Sequence, residues 1–483
     1  MTPSADFSLI MPVIVLGVGA TAVMLQVAAR RSPELTRFST LLVLIAALAS
    51  SVWIGSPEPG IGQAVTPLLQ ADDMARLFAA LFCASAALCV MLSRDYLPGL
   101  SDQGDEYYLL LLLATLGAVV LAYASHVASL LLGLELMSVA LYALIAYPSR
   151  VAPAAEAATK YLVLSGGASA TLLFGFALLY AATGSLAFPE IGAGLQSATL
   201  GSAVTAIATV LVITGVCFKL SAAPFHLWTP DVYEGSPAPV TAFLATVAKA
   251  APFVALIRFL FDAQLFDLPG VVEVLGVLAV LSMLVGNLLA LLQRNVKRML
   301  AYSSIAHIGY ALIIFTVAAD PVNRALAGEA AVFYLVAYVP TTIAAFGLLA
   351  LVNPGGEGQD HAEVQDLSGL FWRDPMLAIL MLVALLSLAG IPLTAGFIGK
   401  FYLFAAAVSG SHWVLLAALV LGSAIGIYYY LRVIFQMSQK PAEHELTWTM
   451  DGGMRAVALL LTVAILGLGI VPQALMEYIR GMF

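Results

Sequence analysis

Apolar runs of about 17 to 25 residues, separated by short polar breaks, recur from one end of this sequence to the other. Because an α-helix rises about 1.5 Å per residue, each run is long enough to cross the roughly 30 Å hydrocarbon core of a bilayer. Hydrophobic residues make up 62% of the 483 and charged residues only 10%, against about 25% charged in soluble globular proteins. The pattern predicts an all-α polytopic membrane protein.

Hydropathy, read with proline, glycine and charge as boundaries, predicts about fourteen transmembrane helices. The seventh span starts near residue 201 and ends at 222 or beyond, and the twelfth covers about 376 to 408. We treat 1–483 as a single membrane domain with three helices in 1–105, spans four to eight in 106–261, spans nine to thirteen in 271–437 and a last helix in 454–483.

Two of these spans carry residues that break helices. Pro224 follows Lys219 in the seventh span, while Gly390 and Pro392 precede Lys400 in the twelfth. Proline removes an amide donor and clashes with the preceding turn, so both helices should break. Spans seven and twelve are five apart and therefore cross the membrane in opposite directions, which indicates two inverted five-helix repeats, spans four to eight and nine to thirteen. We expect Lys219 and Lys400 to hold related positions in the two halves.

Four charged side chains lie inside otherwise apolar runs, namely Glu135, Lys219, Lys249 and Lys400. A charge at the centre of a spanning helix costs roughly 2.5 to 3.5 kcal/mol, so such residues indicate a path for ions or protons. Lys249 is the clearest of them, because no acidic residue lies within its own span. Burial disfavours the charged form of a lysine, which suits this residue to exchanging a proton near neutrality.

Other residues have two interpretations. Lys219 could extend its long stem to the membrane interface, or lie deeper if the broken helix continues past Pro224. Glu135 could form a packing salt bridge with Lys219, and that pair could also act as a switch if its separation varies. His307 and His226 could each relay protons, although a lone histidine on an apolar helix is more often simply hydrogen-bonded in the core.

Composition excludes several kinds of site. Cys83, Cys89 and Cys217 all fall inside apolar runs, without a C-x-x-C pair or a nearby histidine, which argues against iron–sulfur, zinc and disulfide frameworks. The sequence contains no nucleotide-binding glycine motif. A net charge of −8 without a basic patch argues against nucleic acid as a partner.

The distribution of basic residues predicts the orientation. Outside the three embedded lysines, thirteen of the seventeen lysines and arginines fall on one side of the predicted spans, and the other four are Arg76, Arg258, Arg324 and Arg480. Basic loops face the cytoplasm, so both termini are predicted to be periplasmic.

Three stretches carry a family resemblance: FKLSAAPFHLWTPDVYEGSPAPVTAFLATVAKA (Phe218 to Ala250), QRNVKRMLAYSSIAHIGY (Gln293 to Tyr310) and LAGIPLTAGFIGKFYLF (Leu388 to Phe404). They closely resemble the antiporter-like membrane subunits of respiratory complex I, the proton-translocating NADH:quinone oxidoreductase, which are related to Mrp-type sodium/proton antiporters. One of the three subunit types has a long lateral helix at its C-terminus, whereas this chain stops at Phe483, and another has a glutamate where this chain has Lys400. Both differences favour the third type.

The resemblance implies a role for each embedded charge. Glu135 and Lys219 would form an acid–lysine pair, Lys249 the central lysine, His307 a link and Lys400 the terminal residue of a proton relay. Pro224, His226, Gly390 and Pro392 would support the helix breaks.

The resemblance also implies the setting. The chain would be a translocase subunit of the bacterial inner membrane, with no cofactor of its own. NADH, FMN, iron–sulfur clusters and quinone would be bound by other subunits. Its partners would be the neighbouring antiporter-like subunit, small membrane subunits, peripheral subunits and lipids. A stand-alone sodium/proton antiporter and a structural membrane spacer remain alternatives.

Overall fold

The computed structural model describes residues 6–53, 62–99, 104–148, 151–197, 202–268, 270–352, 362–440 and 452–483. Its α-helices are, in chain order, α1 Met11–Ala29, α2 Pro33–Trp53, α3 Asp73–Leu92, α4 Asp105–Tyr123, α5 Val127–Ile145, α6 Ala152–Thr183, α7 Phe188–Ser197, α8 Ser202–Leu220, α9 Trp228–Gly235, α10 Ala238–Ala245, α11 Val247–Asp262, α12 Val271–Leu291, α13 Val296–Val317, α14 Arg324–Val352, α15 Leu370–Arg373, α16 Pro375–Ala389, α17 Ala395–Ser409, α18 Trp413–Ser438, α19 Gly452–Ile470 and α20 Gln473–Arg480.

Thirteen helical segments in the described part of the chain are long and apolar enough to cross a membrane, with α10 and α11 forming one of them. The shorter apolar helices α16 and α17 follow one another across a break and complete a fourteenth crossing. The prediction of an all-helical bundle with about fourteen spans is therefore confirmed.

The bundle has two chemically different faces. The basic face carries the ends of α1 and α3 and the starts of α6 and α13, near Arg30, Arg94, Lys160 and Arg298. The face opposite the basic face is here called the far face, and α1 starts there. An even number of crossings returns the chain to the far face, where Arg480 lies 3.5 Å from Glu329. The segments that start and finish the described chain therefore lie on the same side of the bundle.

Two kinds of element on the far face were not predicted from the sequence. Strands β1 Gln63–Thr66 and β2 Leu69–Ala71 form an antiparallel hairpin, and Leu69 also pairs with Ala124 just after α4. The short helices α7 and α20 flank spanning helices on the same side. Strands of three or four residues are too short to produce a recognisable alternating pattern.

Glycines set the close packing of helix pairs in both halves. A Cβ added at Gly117 of α4 would lie 2.7 Å from the carbonyl oxygen of Gly133 on α5. In the second half, a Cβ added at Gly286 of α12 would lie 2.6 Å from the amide nitrogen of Ala306 on α13. Because lipid supplies no hydrophobic force between helices, such close backbone contact is a main source of packing energy. The proposed repeat boundaries remain predictions.

Candidate functional site

The seventh span breaks between α8 and α9, and the protein satisfies the freed backbone groups itself. Ser221 lies at the break with a φ of 62°. The amide nitrogen of Ala223 donates to Ser282 Oγ of α12 at 2.9 Å, and Trp228 Nε1 donates to the carbonyl oxygen of Phe218 at 3.1 Å. At membrane depth an irregular backbone is tolerated only when protein or water supplies such partners.

Lys219 lies in the last turn of α8, before this break, and is only 4% exposed. Its ammonium donates hydrogen bonds to Ser138 Oγ at 2.9 Å and to Ser165 Oγ at 2.7 Å. Ser165 also accepts a hydrogen bond from Tyr142. The side chain therefore lies inside the bundle in a cluster of hydroxyl groups and does not extend to the interface.

Glu135 lies beside this cluster but is the more distant partner of Lys219. Its Oε1 is 4.0 Å from Lys219 Nζ, whereas Ser169 Oγ donates to the same oxygen at 2.6 Å. The Glu135 side chain is 45% exposed on the outer surface of the bundle. The expected pair is present as a loose contact between an interior lysine and a carboxylate that faces outward.

Lys249 lies just past a third helix break, which was not predicted from the sequence. The eighth span divides at Thr246, where φ is −115° and ψ is −83°, and α11 then contains Pro252. Lys249 is 1% exposed, and its ammonium has no hydrogen-bond partner among the described residues. It lies 5.4 Å from the centre of the Tyr233 ring, which faces it as a cation–π partner.

Two tyrosines accompany this third break. The Tyr338 hydroxyl donates to the carbonyl oxygen of Ala245 at 3.1 Å and is hydrogen-bonded to Ser304 Oγ at 2.9 Å. Tyr233 donates to the carbonyl oxygen of Leu244 at 3.4 Å. Proline inside an apolar run was the available signal, since Pro252 follows Lys249 by three residues.

His226, in the loop that follows Pro224, lies near the central lysine. The ring is buried, its Nδ1 has no hydrogen-bond partner in the described part of the chain, and it is close enough to Lys249 for their charges to interact. The break in the seventh span thus brings a second titratable group toward Lys249.

His307 occupies the interior of α13 within a group of tyrosines. Its Nδ1 lies 2.6 Å from the hydroxyl of Tyr334, and its Nε2 lies 3.4 Å from the hydroxyl of Tyr430. The Tyr338 ring, which belongs to the break beside Lys249, is 5.4 Å away between ring centres. His307 is therefore hydrogen-bonded in the core and also adjoins the groups around Lys249.

The break in the twelfth span holds Lys400. Gly390 ends α16 with a φ of 84°, and α17 begins at Ala395. Lys400 Nζ donates to the carbonyl oxygens of Leu388 and Ala389 at 2.8 and 3.1 Å, and it lies 5.1 Å from the centre of the Tyr310 ring. A lysine on the second half of the broken helix thus satisfies carbonyls at the end of the first half.

Lys219 and Lys400 differ in their place relative to the breaks. Lys219 lies before its break, on α8, whereas Lys400 lies after its break, on α17. Their partners differ too, because Lys219 donates to hydroxyl groups and Lys400 to backbone carbonyls. The two lysines therefore have different local environments, although each lies at the break of its span.

Small cavities separate the charged groups. One of about 10 Å³, space for roughly one water, lies between Lys219 and Pro252 and is otherwise lined by apolar side chains such as Leu134 and Phe176. Another of about 10 Å³ lies between His307 and Leu388, the carbonyl partner of Lys400. Water would find polar partners in the second cavity and almost none in the first.

A cavity of about 680 Å³ opens on the basic face. Asp231 accepts hydrogen bonds from Lys160 at 2.7 Å and from Arg298 at 2.8 Å, and Arg298 also pairs with Glu234 at 2.6 Å. Burial raises the pKa of Asp231, but the hydrogen bonds from Lys160 and Arg298 outweigh it and hold that pKa below the usual 3.8. The buried Lys297 donates to the carbonyl oxygen of Ser236 at 2.5 Å. Two of the stretches that carry the family resemblance meet in this cavity.

The serines and tyrosines around the charges were not predicted from the sequence. On α5, Glu135, Ser138 and Tyr142 follow the three- and four-residue spacing that places side chains on one helix face. That spacing was the available signal for the hydroxyl groups near Lys219. The tyrosines around His307 come from α14 and α18, and no local pattern reveals them.

Within the described residues, no group of three or more His, Cys, Asp or Glu side chains is placed to hold a metal ion. Cys83, Cys89 and Cys217 are free and buried. The polar groups described above, along the interior of the bundle, are protonatable side chains, hydroxyl groups and backbone carbonyls.

The broken helices and their buried lysines define the class as an antiporter-like membrane subunit. Residues 124–426 match the family described as NADH:quinone oxidoreductase/Mrp antiporter, TM. NADH-quinone oxidoreductase subunit N of Ectopseudomonas mendocina is 46% identical over 98% of this chain and 95% of its own length. A chain of respiratory complex I from Thermus thermophilus with bound aureothin superposes with a TM-score of 0.83 at 36% identity, over 97% of this chain and 99% of that one.

A chain of the Mrp complex from Dietzia has a TM-score of 0.84 at 21% identity, over 100% of this chain and 97% of that one, and shows the shared fold. The protein belongs to the NADH:quinone oxidoreductase/Mrp antiporter membrane family. The resemblance in the three sequence stretches is confirmed. The third subunit type, which Lys400 favours, corresponds to subunit N. The relative from Ectopseudomonas mendocina carries that name.

Proposed function

We propose that this chain is subunit N of a proton-translocating NADH:quinone oxidoreductase and that it moves protons through Glu135 and Lys219, Lys249, His307 and Lys400. The observation that carries this proposal is the burial of Lys249 without a hydrogen-bond acceptor among the described residues. Its ammonium is 1% exposed, lacks a hydrogen-bond acceptor among the described residues and lies at a helix break. A permanently charged group would be very costly there, whereas a group that gains and loses a proton is suited to it.

The switch in this proposal is the contact between Glu135 and Lys219. Two unit charges 4 Å apart interact by about 4 kcal/mol at an effective dielectric near 20. Moving Glu135 away would withdraw that stabilisation from a protonated Lys219 and favour passage of its proton to Lys249. The loose 4.0 Å contact, beside closer serine partners, is a geometry that a small displacement can change.

The outward direction of Glu135 supports a partner at this surface. Its side chain is 45% exposed on a spanning helix, and a carboxylate in contact with lipid would be costly. Nearby on α6, Cβ atoms added at Gly166 and Gly167 would meet nothing within 4 Å, so another helix could approach closely. We assign this surface to the neighbouring antiporter-like subunit, with small membrane subunits, peripheral subunits and lipids as further partners.

The second half would carry the proton onward. The water-sized cavity is lined by His307 and by Leu388, whose carbonyl oxygen accepts a hydrogen bond from Lys400. NADH, FMN, iron–sulfur clusters and quinone would be bound by other subunits, which leaves no redox step to this chain. The basic face would be cytoplasmic and both termini periplasmic, in a bacterial inner membrane.

The test is Lys249→Ala in the assembled complex. The matched control is Lys440→Ala, because Lys440 is an exposed lysine on the basic face. Proton pumping per NADH oxidised should fall in Lys249→Ala while assembly is retained, and it should be unchanged in Lys440→Ala. Full pumping in an assembled Lys249→Ala complex would favour a structural spacer. Sodium-dependent pH changes produced by the chain alone in vesicles would favour an independent antiporter.

A further inference from the structure

A buried arginine lies on the same helix as Lys249, toward the far face. Arg258 follows Lys249 by nine residues on α11, which corresponds to about 14 Å along the helix axis. It is 3% exposed. Its Nε donates to the carbonyl oxygen of Ala122 at the end of α4 at 2.7 Å, and its Nη2 donates to Asp72 Oδ1 at 2.5 Å. The guanidinium is thus held in place by two neighbouring helices.

The surroundings of Arg258 are polar. Asp72 also caps α3 by accepting from the amide nitrogen of Ala75 at 2.7 Å. Asp262 lies one turn further along α11, and its Oδ2 is buried without a hydrogen-bond partner in the described part of the chain. The hydroxyl of Tyr123 is likewise buried and unpartnered among the described residues. Unpaired buried polar groups attract water, so this cluster is where a hydrated path from Lys249 to the far face would form.

The chemistry of arginine makes it a block in such a path. A guanidinium carries five N–H donors and no acceptor, and it keeps its charge at all physiological pH values. A proton moves along water and side chains only where each group can accept it. Fixed arginines are used in this way to exclude protons from pores.

We propose that Arg258 prevents a proton on Lys249 from leaving directly to the far face, so that it passes instead toward His307 and Lys400. This inference rests on the proposed function, because it needs Lys249 to carry a proton. In this inference Arg258 is a barrier to protons and is not itself a member of the relay. The carboxylates near it, Asp72 and Asp262, would otherwise complete an exit for the first half.

Passive proton permeability tests this role. Vesicles containing the assembled complex, without NADH, are given a pH gradient, and a pH-sensitive dye follows its collapse. Arg258→Gln and Arg258→Met should each accelerate the collapse several-fold, and either one that assembles suffices. Arg258→Lys should leak at an intermediate rate, since a buried lysine can release its proton and then accept another, whereas arginine cannot. Asp72→Asn should keep the native rate, because it breaks the ion pair but leaves the arginine.

Arg324→Gln is the matched control, since Arg324 also bonds a carbonyl on the far face, that of Ala318 at 3.1 Å, but lies outside α11. The double variant Arg258→Gln with Lys249→Ala should lose the leak, because the path runs through Lys249. An unchanged rate in both assembled Arg258 variants would overturn the inference, as would equal leaks in Arg258→Gln and Asp72→Asn. If Lys249→Ala abolishes pumping while the Arg258 variants do not leak, only the inference fails and the proposed function stands.

Discussion

Lys400 and Leu388 are joined across the break of the twelfth span by a hydrogen bond of 2.8 Å from the ammonium to the carbonyl oxygen. Leu388 lies in the last turn of α16, where the helix dipole presents partial negative charge. Lys400 is therefore both a buried charge and the group that completes the end of a helix. Its two roles can be separated by substitution.

Lys400→Ala removes the charge and leaves the carbonyl oxygens of Leu388 and Ala389 unpaired. Each unpaired carbonyl should lower the stability of the fold by about 1 to 3 kcal/mol. Both complex assembly and proton pumping should fall. Lys400→Gln keeps an N–H donor without the charge, so assembly should recover while pumping stays low. Assembly is measured by native gel electrophoresis and pumping by a pH-sensitive dye. Normal pumping in an assembled Lys400→Gln complex would contradict a role for the charge.

The serines around Lys219 should matter as much as Glu135. Ser138→Ala combined with Ser165→Ala removes both close hydrogen-bond acceptors of the ammonium and leaves only the 4.0 Å contact with Glu135. Because a hydrogen bond to a charged group contributes about 1.5 to 3 kcal/mol, proton pumping should drop severalfold in the double variant.

The matched control for that pair is Ser85→Ala, since Ser85 is also buried but bonds only a carbonyl of its own helix, at 2.6 Å. Pumping per NADH oxidised is compared among the native complex, the double serine variant and Ser85→Ala. Equal activities would show that the hydroxyl groups do not set the state of Lys219.

The ion cluster on the basic face should make stability depend on pH. The pKa of Asp231 is lower in the folded protein than its usual 3.8, so its pairing with Lys160 and Arg298 stabilises the fold above that value. This contribution is lost as the pH falls through the lowered pKa. Asp231→Asn should lower the thermal unfolding midpoint of the detergent-solubilised complex at pH 7. It should also weaken the decline of that midpoint under acid conditions, and an equal decline in both proteins would contradict the prediction.

Close packing of α4 on α5 should tolerate no side chain at Gly117. A Cβ there would come within 2.7 Å of the backbone of Gly133 and of Met137, so Gly117→Ala should destabilise the bundle by about 1 to 3 kcal/mol. Gly17→Ala in α1 is the control, since a Cβ there meets nothing within 4 Å. Expression and thermal unfolding of the two variants are compared, and equal stability would show that the helices can move apart without cost.

Much of the architecture could be predicted because membrane helices are constrained by local rules. A run of about 20 apolar residues must form a helix in lipid, where every backbone group needs an internal partner. Pro224 and the Gly390 and Pro392 pair likewise marked two breaks that the structure contains. The break at Thr246 has a weaker local signal, since it depends on Tyr338 of α14 to satisfy the carbonyl of Ala245.

The candidate site was predictable only in part. Charges inside apolar runs are visible in a sequence, so Glu135, Lys219, Lys249 and Lys400 could be named, but their partners come from distant helices. Nothing local shows that Lys219 contacts Ser165, that Lys400 caps α16 or that Arg258 lies buried against Asp72.

The sequence by itself determined that this chain is a polytopic helical protein, two of its helix breaks and four of the residues that bring charge into its apolar runs. Those properties follow from the cost of placing polar groups in lipid, and that cost applies to each segment separately. Tertiary structure alone decided that Glu135 faces outward while Lys219 faces inward, and that Lys249 has no hydrogen-bond partner among the described residues. These relationships depend on which helices pack together, because the groups that solvate a buried charge come from neighbouring helices.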